Sequence, residues 1–438
     1  MRRLLNLCKR LFVDMRNLLT YLFFILLYNT SFGQIAEVRR ITKSLCSPEF
    51  QGRGYVNGGD SIAAQFIAEE FKKIGVRSLK RSYFQHFSFG INTFPRKMEM
   101  KLDEKELIPG THFLIDPSSK SCESILKPKL ISAKIALDQE RLIAEINEII
   151  NKSTAYNSVV FNFGNLSVDT LKLLASIKYE VAEFFPVIEV VNKKFMWSVG
   201  RDQLKNPIIQ VQDSIFKDNK EWKVDIESVF IEKHTSQNVI AYLPSKTKKA
   251  KTIVFTAHYD HLGRMGSSTY FPGGNDNASG TAMLLSMAKY FKENPSNCNL
   301  LFIAFAGEEA GLVGSEYFVN HPTMKLKKMD FLINLDIMGS GEEGITVVNA
   351  TNFETEFERL QKINEDNQLL TQIKKRGPTK NSDHYWFTTK DVPAFFIYTQ
   401  GQNKNYHDVF DTYENLSFAE YNDILTLLVK FVEGFNKH

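Results

Sequence analysis

Cysteine is scarce. The four present, Cys8, Cys46, Cys122 and Cys298, form no CxxC pair, which excludes cysteine-built zinc modules and the dense disulfide frameworks of small secreted domains. An excess of one charge is also missing: 54 Lys and Arg face 50 Asp and Glu, a net charge of +4. A mixed-sign surface of that kind argues against a nucleic-acid partner. The chain has no low-complexity tract and no repeat of 20–50 residues. No GxSxG string occurs, and the cysteines lack a setting for nucleophilic catalysis, which leaves serine and cysteine hydrolases without support.

What remains is an ordinary globular composition, 43% hydrophobic and 24% charged over 438 residues. That length suits one large domain with a smaller one, or two of middling size. Near the N-terminus, 18–28 reads LLTYLFFILLY, an apolar run too short to span a bilayer. Arg16 precedes it, and Ser31 and Gly33 supply small residues suited to a cleavage site. Residues 1–33 are therefore expected to be a signal peptide, with Met15 giving a tidier start than Met1. The rival reading is an uncleaved single-span anchor. Either way the bulk of the chain is exported, to the periplasm or beyond the cell, and signal cleavage leaves no membrane span. Removal of Cys8 with the signal leaves room for at most one disulfide among Cys46, Cys122 and Cys298.

The string from Asp60 to Phe71 spaces apolar groups as a helix does, with Gly75 as its stop. From about 120 to 220 short β-like runs alternate with helical stretches, without clustered histidines or carboxylates. This stretch reads as an inserted α+β or β-rich accessory module, flanked by a main domain over 34–119 and 221–438. After Asn238 the pattern becomes a regular α/β alternation. Strands are expected at Ile253–Ala257, Leu300–Ala306, Phe331–Leu335 and Ala394–Tyr398, and helices at Ser279–Lys292, Ser315–Asn320, Phe353–Asn367 and Phe418–Phe435. Apolar strands separated by helices imply an α/β fold whose sheet is covered on both faces. In such folds ligands bind beyond the carboxyl ends of the strands.

Metal-capable side chains fall at those ends. His258 and Asp260 stand in TAHYDHLG, Asp276 in GGNDNASG, Glu308 and Glu309 in AFAGEEAGLVGS, Asp336 in INLDIMG, and His407 in QNKNYHDVFDTYENL. Each string alone has a plain structural explanation, such as a capped turn or an acidic helix start. Gathered at one sheet edge, they are hard to explain by packing, because buried carboxylates are costly unless paired or bound to a cation. Imidazole and carboxylate donors suit zinc. Two histidines with three carboxylates suit a pair of ions, one carboxylate bridging ions about 3.5–4 Å apart.

In that order, these strings resemble the dinuclear zinc aminopeptidases, the family 28 metallopeptidases that include bacterial leucyl aminopeptidases. The resemblance runs from about Leu45 to the C-terminus and includes the GRGY string at Gly52 and the AAQFIAEEFKKIG helix. It implies a zinc exopeptidase fold, with a mixed, largely parallel sheet sandwiched by helices. It further implies two zinc ions, or other divalent ions, with His258 and Asp336 on one, Glu309 and His407 on the other, and Asp276 bridging. Glu308 would be the general base, Asp260 would orient His258, and Tyr406 would stabilise the oxyanion. Asn277 would follow Asp276 through a peptide bond that the family holds cis. The string Ser382-Asp383-His384 also resembles the family near its substrate pocket, but it receives no role. The middle module faintly resembles a protease-associated insert around Phe185–Val191; a plain spacer is the other reading.

The activity so implied is hydrolysis at peptide or protein N-termini. Two alternatives stay open on the same fold: a glutaminyl cyclase using one zinc, and a binding protein without catalysis. Carboxypeptidase or dipeptidase action is a further option, and the oligomeric state is not legible.

Overall fold

The computed structural model describes residues 35–436 apart from 165, 167 and 219. The expected signal peptide therefore lies outside the described residues. Among those described, no helix is long and apolar enough to cross a membrane.

Four strands form the centre of a nine-stranded sheet, side by side in the order Asn299–Phe305, Thr252–His258, Phe331–Leu335 and Ala394–Thr399, all parallel. Their residues are buried almost throughout, as the continuous apolar runs require of strands covered on both faces. Alternation along each strand splits the core. Ile253, Phe255 and Ala257 join Leu300, Phe302 and Ala304 in one apolar cluster, while Val254, Leu301, Ile303 and Leu332 belong to another. Helices Gly59–Ile74, Gly280–Glu293 and Tyr421–Glu433 supply the first cluster; Val313–Asn320 and His384–Thr388 supply the second. The expected helices and strands thus form within a few residues of their sequence limits. Gly75, at φ 81°, ends the Gly59–Ile74 helix in the left-handed conformation that glycine adopts without cost.

Antiparallel strands extend the sheet on both sides. Ile345–Val348 pairs with Ala394–Thr399, and Val229–Leu243 pairs with both Asn299–Phe305 and Phe84–Thr93. The sequence reading did not foresee the latter pair, and it is the gateway to the smaller unit. The chain leaves the main sheet after Thr93 and returns at Val229.

Between them lie a four-stranded sheet and a five-stranded one. Met98–Leu102 pairs with Trp222–Ile226, and Phe113–Ile115 with Ile208–Gln212. Strand pairing thus joins 98–102 and 113–115 to the same sheets as 208–226. The mixed α+β build of this unit includes the helices Gln139–Asn151 and Val168–Ala182. No disulfide joins Cys46, Cys122 and Cys298.

Phe331 sits at the amino end of its strand, 1% exposed, within 6.0 Å (ring centroids) of Phe353, Phe395, Phe431 and Phe435. Phe331→Ala should lower stability by about 3–5 kcal/mol, because a cavity is left among rings that cannot all collapse into it. Urea unfolding checks this; a loss under about 1 kcal/mol would contradict the packing described.

Candidate functional site

The carboxyl ends of the four parallel strands deliver their loops to one edge, and the candidate residues meet there. His258 is the last residue of its strand; Asp336 directly follows Leu335; Glu308 and Glu309 follow the strand ending at Phe305. Asp276 comes from the buried 273–279 loop, in which the Asp276–Asn277 peptide bond is cis. The Asn277 side chain fastens that loop to the next strand end, donating to the Leu335 carbonyl at 3.0 Å and accepting the Ile337 amide at 3.1 Å.

Two half-sites share Asp276. On one side His258 Nε2 lies 3.2 Å from Asp276 Oδ1 and 3.3 Å from Asp336 Oδ1. On the other, His407 Nε2 lies 3.0 Å from Asp276 Oδ2 and 3.3 Å from Glu309 Oε2. Glu308 belongs beside the first: ligand-capable atoms of His258, Glu308 and Asp336 all fall within 4.8 Å of one another. All five candidate ligands and Glu308 are thus brought together.

Tyr406 stacks on the His407 ring, centroids 3.9 Å apart. Although Tyr406 is 40% exposed overall, partial desolvation of its phenol and the nearby charges of Asp276, Glu309, Asp336 and Glu308 raise it above the ordinary range. It therefore stays a protonated donor.

The electrostatics follow from crowding acids in a buried space. Burial drives the Glu308 carboxyl well above the usual carboxylate range, and the nearby His258 offsets this only in part. Burial would lower both histidines, but the carboxylates outweigh it: His258 is raised well above its ordinary value by Asp336, Glu308 and Asp276, and His407 to about 9 by Glu309 and Asp276. Asp276 is held far down, because hydrogen bonds from His258 and His407 overcome its burial.

Asp260 departs from its expected role. Its Oδ1 is 3.8 Å from His258 Nδ1, too far for a hydrogen bond, and the nearer partner of that nitrogen is the Asp260 backbone carbonyl at 3.2 Å. The carboxylate is turned instead toward the Tyr55 hydroxyl and the backbone amides of Glu308 at 3.3 Å and Glu309 at 3.1 Å. It orients the two glutamates more directly than the histidine.

Several residues escaped the sequence reading. His261, fully buried, places Nδ1 2.8 Å from Glu309 Oε1; its position in the quoted string TAHYDHLG was the available signal. Arg53, also fully buried, donates to the carbonyls of Leu45, Tyr259, Pro272 and Gly273 at 2.6–2.9 Å, and so cradles the loop before Asp276. Asp411 accepts the amides of Asn275 and Asp276 at 3.0–3.1 Å. In the string left without a role, Ser382 donates to Asp336 Oδ2 at 2.8 Å and itself accepts from Asn334. Asp383 and His384 are buried beside it, and burial raises the first to about 7 and lowers the second to about 4.

Comparison with known proteins agrees with this architecture. Residues 238–432 match Peptidase family M28. The chain is 36% identical over 198 residues to Aminopeptidase YwaD of Bacillus subtilis, covering 42% of this chain, and 27% identical over 243 residues to Aminopeptidase Y of Saccharomyces cerevisiae, covering 51%. It spans only 41% of the length of each of those relatives. Among solved structures, the zinc aminopeptidase BSAP from Bacillus subtilis superposes over 91% of this chain and 94% of its own, with a TM-score of 0.65 at 21% identity. An aminopeptidase from Aneurinibacillus sp. strain AM-1 does so over 90% and 93%, with a TM-score of 0.59 at 19% identity. These two likenesses concern the fold, and they include the smaller unit. The match to Peptidase family M28 across 238–432 holds every strand end and loop that brings the candidate ligands together, and over that region the chain is similar to the family.

Proposed function

We propose that this chain is an exported zinc aminopeptidase, with two ions held on either side of Asp276. The observation that carries the reading is the division of that carboxylate: Oδ1 faces His258 and Oδ2 faces His407, each imidazole having a second carboxylate of its own. The donor set fits zinc, since borderline-soft imidazoles and hard carboxylates are mixed and no thiolate takes part. The excess of buried carboxylates over cationic side chains is the charge pattern that divalent ions would balance. His258, Asp276 and Asp336 would hold one ion, and Asp276, Glu309 and His407 the other. Zinc bound there would supply Lewis acidity, acidifying a water and polarising the scissile carbonyl.

The chain's own residues would do the rest. Glu308 would take a proton from the attacking water at its carboxylate oxygen and deliver it to the leaving amine; it lies beside the His258 half-site without being needed as a ligand. Tyr406, kept protonated, would donate to the developing oxyanion. The acidic surroundings would favour a substrate with a free α-ammonium, which restricts cleavage to N-termini. Export rests on the pattern of residues 16–33.

Glu308→Gln should lower turnover of aminoacyl-nitroanilides by about 10²–10⁴-fold while zinc content stays at two per chain, and N-acetylated substrates should remain intact with either protein. Undiminished turnover in Glu308→Gln, or ready cleavage of the acetylated series, would sink the assignment.

Zinc uptake should also depend on pH. His407 holds its proton up to about pH 9, and a binding ion must displace it. Affinity for the ion at His407 should therefore climb from pH 6 to 9, with protons released on binding. Titration calorimetry in buffers of different ionisation heat tests this; affinity that does not vary with pH would contradict it.

A further inference from the structure

His407 reaches the half-site from an unusual backbone. Its φ of 52° lies in the left-handed region, which a non-glycine residue keeps only when its surroundings hold it there. Those surroundings come from the smaller unit, some two hundred residues earlier in the chain.

The segment 192–207 crosses from the strand Val187–Val191 to Ile208–Gln212 and passes beside the His407 loop. Trp197 and His407 exchange two bonds: the Trp197 amide donates to the His407 carbonyl at 2.8 Å, and His407 Nδ1 is 3.0 Å from the Trp197 carbonyl. A carbonyl can only accept, so Nδ1 keeps its proton in this contact, and the proton that a binding ion displaces is the one on Nε2, which faces Asp276 and Glu309.

Trp197 is itself clamped between the two units. Its indole N–H donates to the Ile115 carbonyl at 2.7 Å, and its ring stacks on Phe271 of the peptidase domain at 4.7 Å. Three residues before it, the Lys194 ammonium donates to the Lys404 carbonyl at 3.1 Å and Asn405 Oδ1 at 2.8 Å, and lies 2.6 Å from Asp408 Oδ2. Its three N–H donors thus all serve the one short stretch that carries Tyr406 and His407.

We infer that this crossover is a positioning element for His407: the Trp197 carbonyl sets the tautomer and direction of the ring, and Lys194 locks the loop that presents it. The smaller unit is then more than a spacer or a cover, since the second half-site is completed only by backbone and side-chain contacts that it supplies. The inference rests on the two-ion reading above and concerns the His407 ion alone. Neither Lys194 nor Trp197 touches a reacting atom; both act through His407. Partners of a ligating histidine typically govern about 10–100-fold in metal affinity.

The test is a zinc titration of the metal-free full-length protein against a competing chromophoric chelator, for wild type, Lys194→Met, Lys194→Arg and Trp197→Phe. Lys194 is half-exposed, and Trp197→Phe keeps a ring to stack on Phe271 while removing the tether to Ile115. The expected result is a loss of about tenfold or more at one of two ions in Lys194→Met and Trp197→Phe. The other ion should bind as in wild type, the melting temperature of the metal-free protein should hold steady, and Lys194→Arg should restore most of the affinity. Two ions bound equally well by wild type and both variants would overturn this inference alone, as would an equal loss at both ions that tracks a lowered melting temperature. A wild type that binds fewer than two ions would overturn the two-ion reading, and this inference with it.

Discussion

The rest of the molecule depends on one constraint, the cost of holding Asp276, Glu308, Glu309 and Asp336 together out of water. Two like charges about 4 Å apart repel by about 4 kcal/mol even at an effective dielectric near 20. Several such pairs rival the whole stability of a domain, about 5–15 kcal/mol. Part of the answer is visible in the protonation pattern. His258 and His407 are raised and tend to carry charge, while Glu308 is raised and tends to lose it. The proposed ions would take over that compensation, releasing the imidazoles to act as ligands and leaving Glu308 to move protons.

Such a cluster must be held by groups that do not relax. The parallel sheet supplies them cheaply, because strand ends lie about 5 Å apart and their loops converge without long excursions. Most of the orienting bonds then run between side chains and backbone. Arg53 grips carbonyls ahead of Asp276, Asp411 grips amides on the same loop, and Asp260 grips the amides of both glutamates. The N-terminal string around Gly52 thereby becomes part of the site, although Arg53 and Tyr55 reach the acidic residues only through Asp260 and the loop backbone.

Much of this was legible in the sequence. The strands Ile253–Ala257, Leu300–Ala306 and Phe331–Leu335 announced themselves as short apolar runs bounded by polar strings, and the ligand candidates could be placed because they follow those runs directly. Other features lacked that signal. Phe84–Thr93 alternates Phe87, Phe89 and Ile91 with small or polar residues, and Val229–Leu243 is apolar at its two ends and polar between, so the pairing of the two strands depends on the tertiary fold rather than on a run of the kind that marks the central strands. The pairing of Met98–Leu102 with Trp222–Ile226 is a contact across more than a hundred residues that local pattern cannot carry. His261 and Asp411 stood in strings already quoted, but their partners are set by the tertiary fold. The carbonyl of Trp197 could not be read at all, because its acceptor is backbone and any residue would provide it.

The central claim is that Asp276 divides its two oxygens between two zinc ions. The most direct measurement is a crystal structure of the zinc-loaded protein with anomalous differences recorded on both sides of the zinc absorption edge. The account predicts two peaks flanking Asp276, one against His258 and Asp336 and the other against Glu309 and His407. A single peak, or two peaks of which one makes no contact with Asp276, would contradict it.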